Sequence, residues 1–243
     1  MNEALKLIQH SIHFLIHCLK DPKIFIYFLP GAIVGLIFWE AYFILENIEN
    51  IIEFVEHIPL IGSFLSTVFT APINFIQFII VQLLTFFILT LLSPINTFLS
   101  ERIEFQLNGK AFPFSFYIVL RDLWRMVRVV IFLVFLEVLL SLTYWLFVGW
   151  YNPFDFINET VYFIIASFFY GISFFDYSFE RHGMGLMKSL NYGRSNFWLV
   201  LFSGFLFKLL FSIPVVGIIV TPVIMTIITT FLFVKQPPKF SVR

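Results

Sequence analysis

The chain has 243 residues, of which 60% are hydrophobic, 21% aromatic and only 12% charged, where about 25% charged is usual for a soluble domain. Fifteen Lys/Arg balance fifteen Asp/Glu for a formal net charge of zero, so bulk electrostatics gives no drive toward nucleic acid or an acidic partner. No Asp, Glu, Lys or Arg occurs between His57 and Ser100, and apolar runs beyond about 18 residues predict membrane helices rather than a soluble globule or an alternating β-barrel.

In chain order, residues 3 to 20 predict an amphipathic helix lying in the inner membrane interface. On a 100° wheel Leu5, Ile8, Ile12, Leu15, Ile16 and Leu19 gather opposite His10, His13 and His17. His13 and His17 have the i, i+4 spacing of metal ligands, but no acidic or sulfur ligand accompanies them, so a wet helix face is expected and no metal. Met1 to Lys20 mixes Glu3, Lys6 and three histidines with its apolar residues. That differs from a secretory signal, and the first membrane segment is expected to be retained. Apolar segments then predict helices over about 24–45, 66–92, 129–149, 161–175, 197–213 and 214–234, all in one multi-pass membrane domain, 1–243.

Residues 46 to 56 form a second amphipathic stretch, with Glu46, Glu49, Glu53 and Glu56 opposing Ile48, Ile51, Ile52 and Val55. The largest polar connection spans 93 to 128. The run from 197 to 234 breaks at Ser212–Gly217, around Pro214, and predicts a helical hairpin. The arms of this hairpin and the 161–175 segment are about 15 to 20 residues, so partial penetration of an apolar layer of about 30 Å is expected. Fourteen of the fifteen Lys/Arg lie in 1–23, 93–128, 176–196 and the tail, whereas 46–60 and 150–160 have none. Positive-inside bias predicts both termini on the cytoplasmic side.

Glu40, Glu137 and Lys208 interrupt apolar runs, where an ionisable residue costs at least about 2.5 to 3.5 kcal/mol at the bilayer centre. Glu137 is the deepest. It reads equally as a protonated or hydrogen-bonded packing residue and as the lining of a pathway, whereas Lys208 and Glu40 are within reach of an interface. One cysteine, Cys18, excludes an intrachain disulfide and a cysteine-based metal or iron–sulfur site. No hydrolase or nucleotide motif is present, so neither enzyme activity nor a cofactor is expected.

Three stretches carry a family resemblance. Ser93-Pro94-Ile95-Asn96-Thr97-Phe98-Leu99-Ser100-Glu101, Asp176-Tyr177-Ser178-Phe179-Glu180-Arg181-His182, and Ile213-Pro214-Val215-Val216-Gly217 followed by Pro222 resemble elements of the CysZ sulfate permeases and the wider membrane family around them, and Leu29-Pro30 adds a weaker match. Ser178 stands where that family has proline, Gly217 where it has asparagine, and Ile227-Ile228-Thr229 where it has Gly-Ala-Thr. The resemblance implies an all-α integral membrane protein combining spanning helices with partly penetrating hairpins. It further implies a homo-oligomer in the bacterial inner membrane, in contact with lipid and passing sulfate or a related small anion. Lys23, where the family is richer in arginine, and Arg194 are the candidate anion-attracting cations, since both precede helices whose free N–H groups favour anions. Asn96, Glu101, Asp176 and His182 would organise the cytoplasmic mouth or cap helix ends. The reading from another class is a non-transporting membrane scaffold or assembly factor.

Overall fold

A computed structural model of the protein describes residues 2–37, 62–109, 116–149, 155–213 and 215–237, with backbone alone for Asn2, 62–83, 116–122, Gly149 and Asp155. Every regular element among the described residues is helical. In chain order they are α1 (Asn2–Cys18), α2 (Pro22–Ile37), α3 (Gly62–Asn108), α4 (Phe116–Tyr144), α5 (Asp155–Arg181), α6 (Leu186–Ser195), α7 (Phe197–Phe211) and α8 (Val216–Lys235). A tight 3-10 turn over Pro22–Tyr27 opens α2, and a π turn, Trp145–Gly149, closes α4. Four stretches, Leu84–Asn108, Leu123–Val148, Phe156–Arg181 and Val216–Lys235, are long and apolar enough to cross a membrane. The chain is an all-α, multi-pass membrane protein.

Two sequence expectations are corrected by helix length. The polar connection at 93–128 is mostly helix: α3 runs on from its apolar segment at 66–92 to Asn108, 47 residues in all, or about 70 Å at 1.5 Å per residue, and α4 begins at Phe116. Ser93, Asn96, Ser100 and Glu104 lie one turn apart and are all buried, so hydropathy falls while the helix continues and its polar stripe finds partners inside. Likewise 161–175 is the middle of α5, whose 27 residues span about 40 Å. Its polar ends, from Asn158 and Glu159 to Asp176 and Arg181, are helical and take up most of the expected 150–160 connection, so the helix is longer than its apolar run. Calls on 38–61, including Glu40 and the acidic stretch 46–56, fall outside the described residues.

The expected hairpin is present. α7 is short, 15 residues or about 22 Å, and turns back into α8 through Ser212–Gly217. Pro214 lies outside the described residues, and Val215 adopts φ 59°, a left-handed conformation that costs a β-branched residue energy. A Cβ on Gly217 would come within 2.7 Å of the carbonyl oxygens of Leu210 and Phe211, so only glycine lets the arms close this tightly. α6 meets α7 at 98°.

Glycines also set the other close crossings. On α2, Gly31 and Gly35 form a small-xxx-small pair against α8, and a Cβ at Gly31 would approach the Ile219 backbone to 3.0 Å. At the α5–α7 contact a Cβ on Gly204 would lie 1.5 Å from the Ser167 carbonyl oxygen, and one on Gly171 2.1 Å from that of Val200.

α1 is amphipathic as expected, but rotated. Ser11 and Cys18 are buried, Ala4, Leu7, Ile8 and Leu15 pack on the core, and Phe14 stacks on Phe231 of α8 at 5.0 Å. Leu5, Ile12 and Ile16 remain 57%, 40% and 52% exposed. The apolar arc of α1 is wider than one protein face can cover, and the remainder is left for the membrane interface.

Candidate functional site: a buried polar seam

α3, α5 and α8 meet along side chains that are polar yet buried. Pairings of Asn96 with Tyr177, Ser100 with Ser178 and Glu104 with Arg181 advance together, so α3 and α5 run parallel. Arg125–Asp176 and Tyr144–Asn158 run in opposite order, making α4 antiparallel to α5.

At one end of the seam the Glu104 carboxylate, fully buried, accepts from Arg181 Nη2 at 3.2 Å and pairs with His182 Nε2 at 2.9 Å. The same guanidinium donates to Ser100 Oγ at 2.6 Å and to the Tyr177 carbonyl at 2.6 Å. Ser100 in turn shares a 2.6 Å hydrogen bond with Thr230 of α8. A full charge with several hydrogen bonds and a paired carboxylate is the form in which a buried ion is tolerated. Further in, Asn96 Nδ2 donates to the Tyr177 hydroxyl at 3.2 Å, and Thr229 Oγ1 donates to the Met225 carbonyl at 2.8 Å. The hydroxyls of Thr97 on α3 and Thr221 on α8 are buried without a hydrogen-bond partner among the described residues.

Beside the seam, Arg125 of α4 pairs with the buried Asp176 of α5 at 3.0 Å, fastening these two helices. Arg102 near the end of α3 pairs with Asp21 at 2.6 Å, and Asp21 accepts the Lys23 backbone N–H at 2.9 Å. Tyr192 of α6 donates to the Gln236 carbonyl at 3.0 Å. These contacts gather the Lys/Arg-bearing helix ends at one end of the bundle.

The residues singled out from sequence divide into two groups. Asn96, Asp176 and Tyr177 are buried and Glu101 and His182 half-buried, all close to the seam. Asn96 and Asp176 sit inside α3 and α5, so they bind across helices and do not cap ends. Pro94 and Pro222 are accommodated within α3 and α8, Pro222 being buried, and Pro30 is half-buried in α2. Lys23 and Arg194 are exposed: Lys23 at the start of α2, Arg194 in the last turn of α6, with no described contact joining them to each other or to the seam.

Glu137 is 2% exposed and interacts electrostatically with Tyr170 of α5 and Lys208 of α7. The Lys208 ammonium lies 4.4 Å from the centre of the Phe163 ring. Two ionisable groups that interrupt separate apolar runs are therefore neighbours across α5. Among the described residues no group of three or more His, Cys, Asp or Glu is placed to hold a metal. His10, His13 and His17 stay on the exposed face of α1.

Sequence reasoning missed Glu104, Arg125, Ser178 and Thr230. Glu104 lies one turn beyond Ser100, which a helix continued past residue 92 would have placed on the same stripe; Arg125 was one of a basic series with nothing to distinguish it.

The family described as sulfate transporter CysZ/etoposide-induced protein 2.4 matches residues 12–222. The chain belongs to this family. The match takes in all three resembling elements, and with them the whole polar seam up to Pro222 of α8. Among curated proteins, none matches the chain. Family membership gives the protein a sulfate-transporter-related character.

Proposed function

We propose that this CysZ-family member is a permease or channel for sulfate or a related small anion in the bacterial inner membrane, with both termini in the cytoplasm. The observation that carries the reading is the buried hydroxyl and amide seam of α3, α5 and α8, in a chain matched by this family over residues 12–222. An anion leaving water needs hydrogen-bond donors to replace its hydration, and Thr97 and Thr221 hold donors that no described group uses. In this reading Lys23 and Arg194, exposed at the cationic end, attract the anion, and Glu137 tunes the field inside. The orientation rests on positive-inside bias, no cofactor enters, and the working form is a homo-oligomer in lipid.

The purified protein in liposomes should pass labelled sulfate above empty-vesicle background. Lys23→Gln with Arg194→Gln should lower sulfate affinity roughly tenfold or more, one or two charge-assisted hydrogen bonds being worth about 1.5 to 3 kcal/mol each. Unchanged affinity in the double variant would reject those two as the anion-attracting cations.

A scaffold or assembly function is the second reading, and one observation favours it. The cations Arg181, Arg125 and Arg102 are each bound to a carboxylate, so these charges serve to attach one segment of the chain to another. Absence of sulfate flux from the parent protein would select it.

A further inference from the structure

Fourteen of the fifteen Lys/Arg lie in segments that positive-inside bias assigns to the cytoplasm, and the fifteenth is Lys208. The connections assigned to the other side, 46–60 and 150–160, carry carboxylates and no Lys or Arg. Lys208 is half-buried in α7, its ammonium 4.4 Å from the centre of the Phe163 ring of α5. Phe163 lies 18 residues before Arg181 in α5, so the ammonium is about 27 Å along that helix from the charged end of the seam. Between the two, Phe207 packs against Tyr170 and Phe174 at 4.7 and 5.1 Å, and Tyr177 then meets Asn96. The order along α5 is cation, aromatic layer, polar seam.

Lys208 differs from the other cations that are not fully exposed. Arg102, Arg125 and Arg181 each hold a carboxylate at 2.6 to 3.2 Å. Among the described residues no carboxylate is in ion-pair contact with the Lys208 ammonium and no oxygen accepts a hydrogen bond from it, and Glu137, 2% exposed, acts on it only from farther off. A ring face attracts a cation but offers no lone pair to its three N–H donors. A half-buried ammonium with idle donors is a place where an anion gains charge-assisted bonds without displacing any within the protein.

From these features we infer that Lys208 is the entry site for a tetrahedral oxyanion of the sulfate type, on the side of the membrane away from the cationic end. The inference rests on the permease reading and adds to it a residue that none of the three resembling elements includes. An anion arriving from that side meets carboxylates, and Lys208 is the one basic side chain assigned to that half of the chain. Glu137 is the resident counter-charge, near enough to balance the ammonium when no anion is bound and too far to occupy its N–H groups. An arriving anion competes with Glu137 for the field of the ammonium and not for its hydrogen bonds.

Two measurements test this, one of transport and one of binding. In proteoliposomes, Lys208→Gln should raise the KM for labelled-sulfate uptake about tenfold, the equivalent of about 1.4 kcal/mol, and Lys208→Arg, which keeps the charge, should recover most of that loss. Glu137→Gln should move KM the other way, because it removes the competing carboxylate. An unchanged KM in Lys208→Gln, at parental circular dichroism, overturns the inference. The binding arm follows acylation of Lys208 by a water-soluble amine reagent, read by mass spectrometry of the full-length protein in phosphatidylcholine bilayers. Sulfate should slow this labelling severalfold, and sodium chloride of equal ionic strength should not. Labelling that sulfate leaves unchanged overturns the inference. So does protection by phosphatidylglycerol in the bilayer but not by sulfate, which would make Lys208 a headgroup anchor. Protection is read without transport, so a parent that binds sulfate at Lys208 and passes none rejects the permease reading alone, and flux without protection rejects the Lys208 site alone.

Discussion

The α5–α7 contact and the α3–α5–α8 seam are both buried and both helical, yet they are held by opposite means. α5 and α7 approach until Gly204 lies against the Ser167 backbone, and the surrounding contacts are aromatic and aliphatic. Along the seam, Glu104, Arg181, Ser100 and Thr230 spend the interface on charge and hydrogen bonds. In hydrocarbon, where lipid tails are as apolar as leucine, close packing suffices to join helices. A buried ion cluster is not needed to join the helices, and its desolvation cost calls for a further reason for being there.

The largest effect should come from the packed region. Gly204→Leu pushes side-chain atoms into backbone that cannot retreat, beyond the usual 1 to 3 kcal/mol of overpacking. Size-exclusion chromatography of the detergent extract should show loss of the assembled species. A normally assembled variant would mean that the α5–α7 distance is not set by this glycine.

Next is the seam. Glu104→Gln removes the carboxylate that directly pairs with the Arg181 guanidinium, 4% exposed, and breaking one side of a buried pair costs about 3 to 5 kcal/mol. Asp21→Asn breaks the part-exposed pair with Arg102, 26% and 32% exposed, for about 0 to 1 kcal/mol. Thermal unfolding of both variants compares them directly. Equal shifts would show that the Glu104 site is wetter than its burial implies.

The smallest effect concerns Cys18, which faces Ile24, Leu99 and Val223. Burial first, then the nearby Asp21 carboxylate, push its thiol up to about 11. The thiolate is the reactive form, so alkylation should be slow at pH 8, speed up as pH rises toward 11, and become fast at pH 8 once the chain is denatured. Fast labelling of the native protein at pH 8 would place α1 away from the bundle.

How much was legible follows the same division. Apolar runs disclosed the membrane class, and the Pro/Gly break at 212–217 disclosed the hairpin, because hydrocarbon length and turn chemistry act locally. The length of α3 and α5 was not legible. Asn96, Ser100 and Glu104 read as a polar loop unless their partners Tyr177, Thr230 and Arg181, some 80 to 130 residues away, are already known. The motif positions Asn96, Asp176 and Tyr177 pointed to the seam through family resemblance, without saying what they bind. The adjacency of Glu137 and Lys208 depends on α4 and α7 flanking α5, which no spacing encodes.

The central claim, that the seam carries function and the packed contact carries the fold, is tested most directly at Thr97. Its hydroxyl is buried and unused by any described group, so Thr97→Val keeps the shape and should leave the unfolding temperature unchanged or slightly raised. Labelled-sulfate flux through proteoliposomes of parent and variant is the decisive measurement. The account predicts clear flux for the parent and a several-fold loss for Thr97→Val at undiminished stability. Equal flux for the two would contradict a pathway along the seam, and a parent no leakier than empty vesicles would contradict anion permeation altogether.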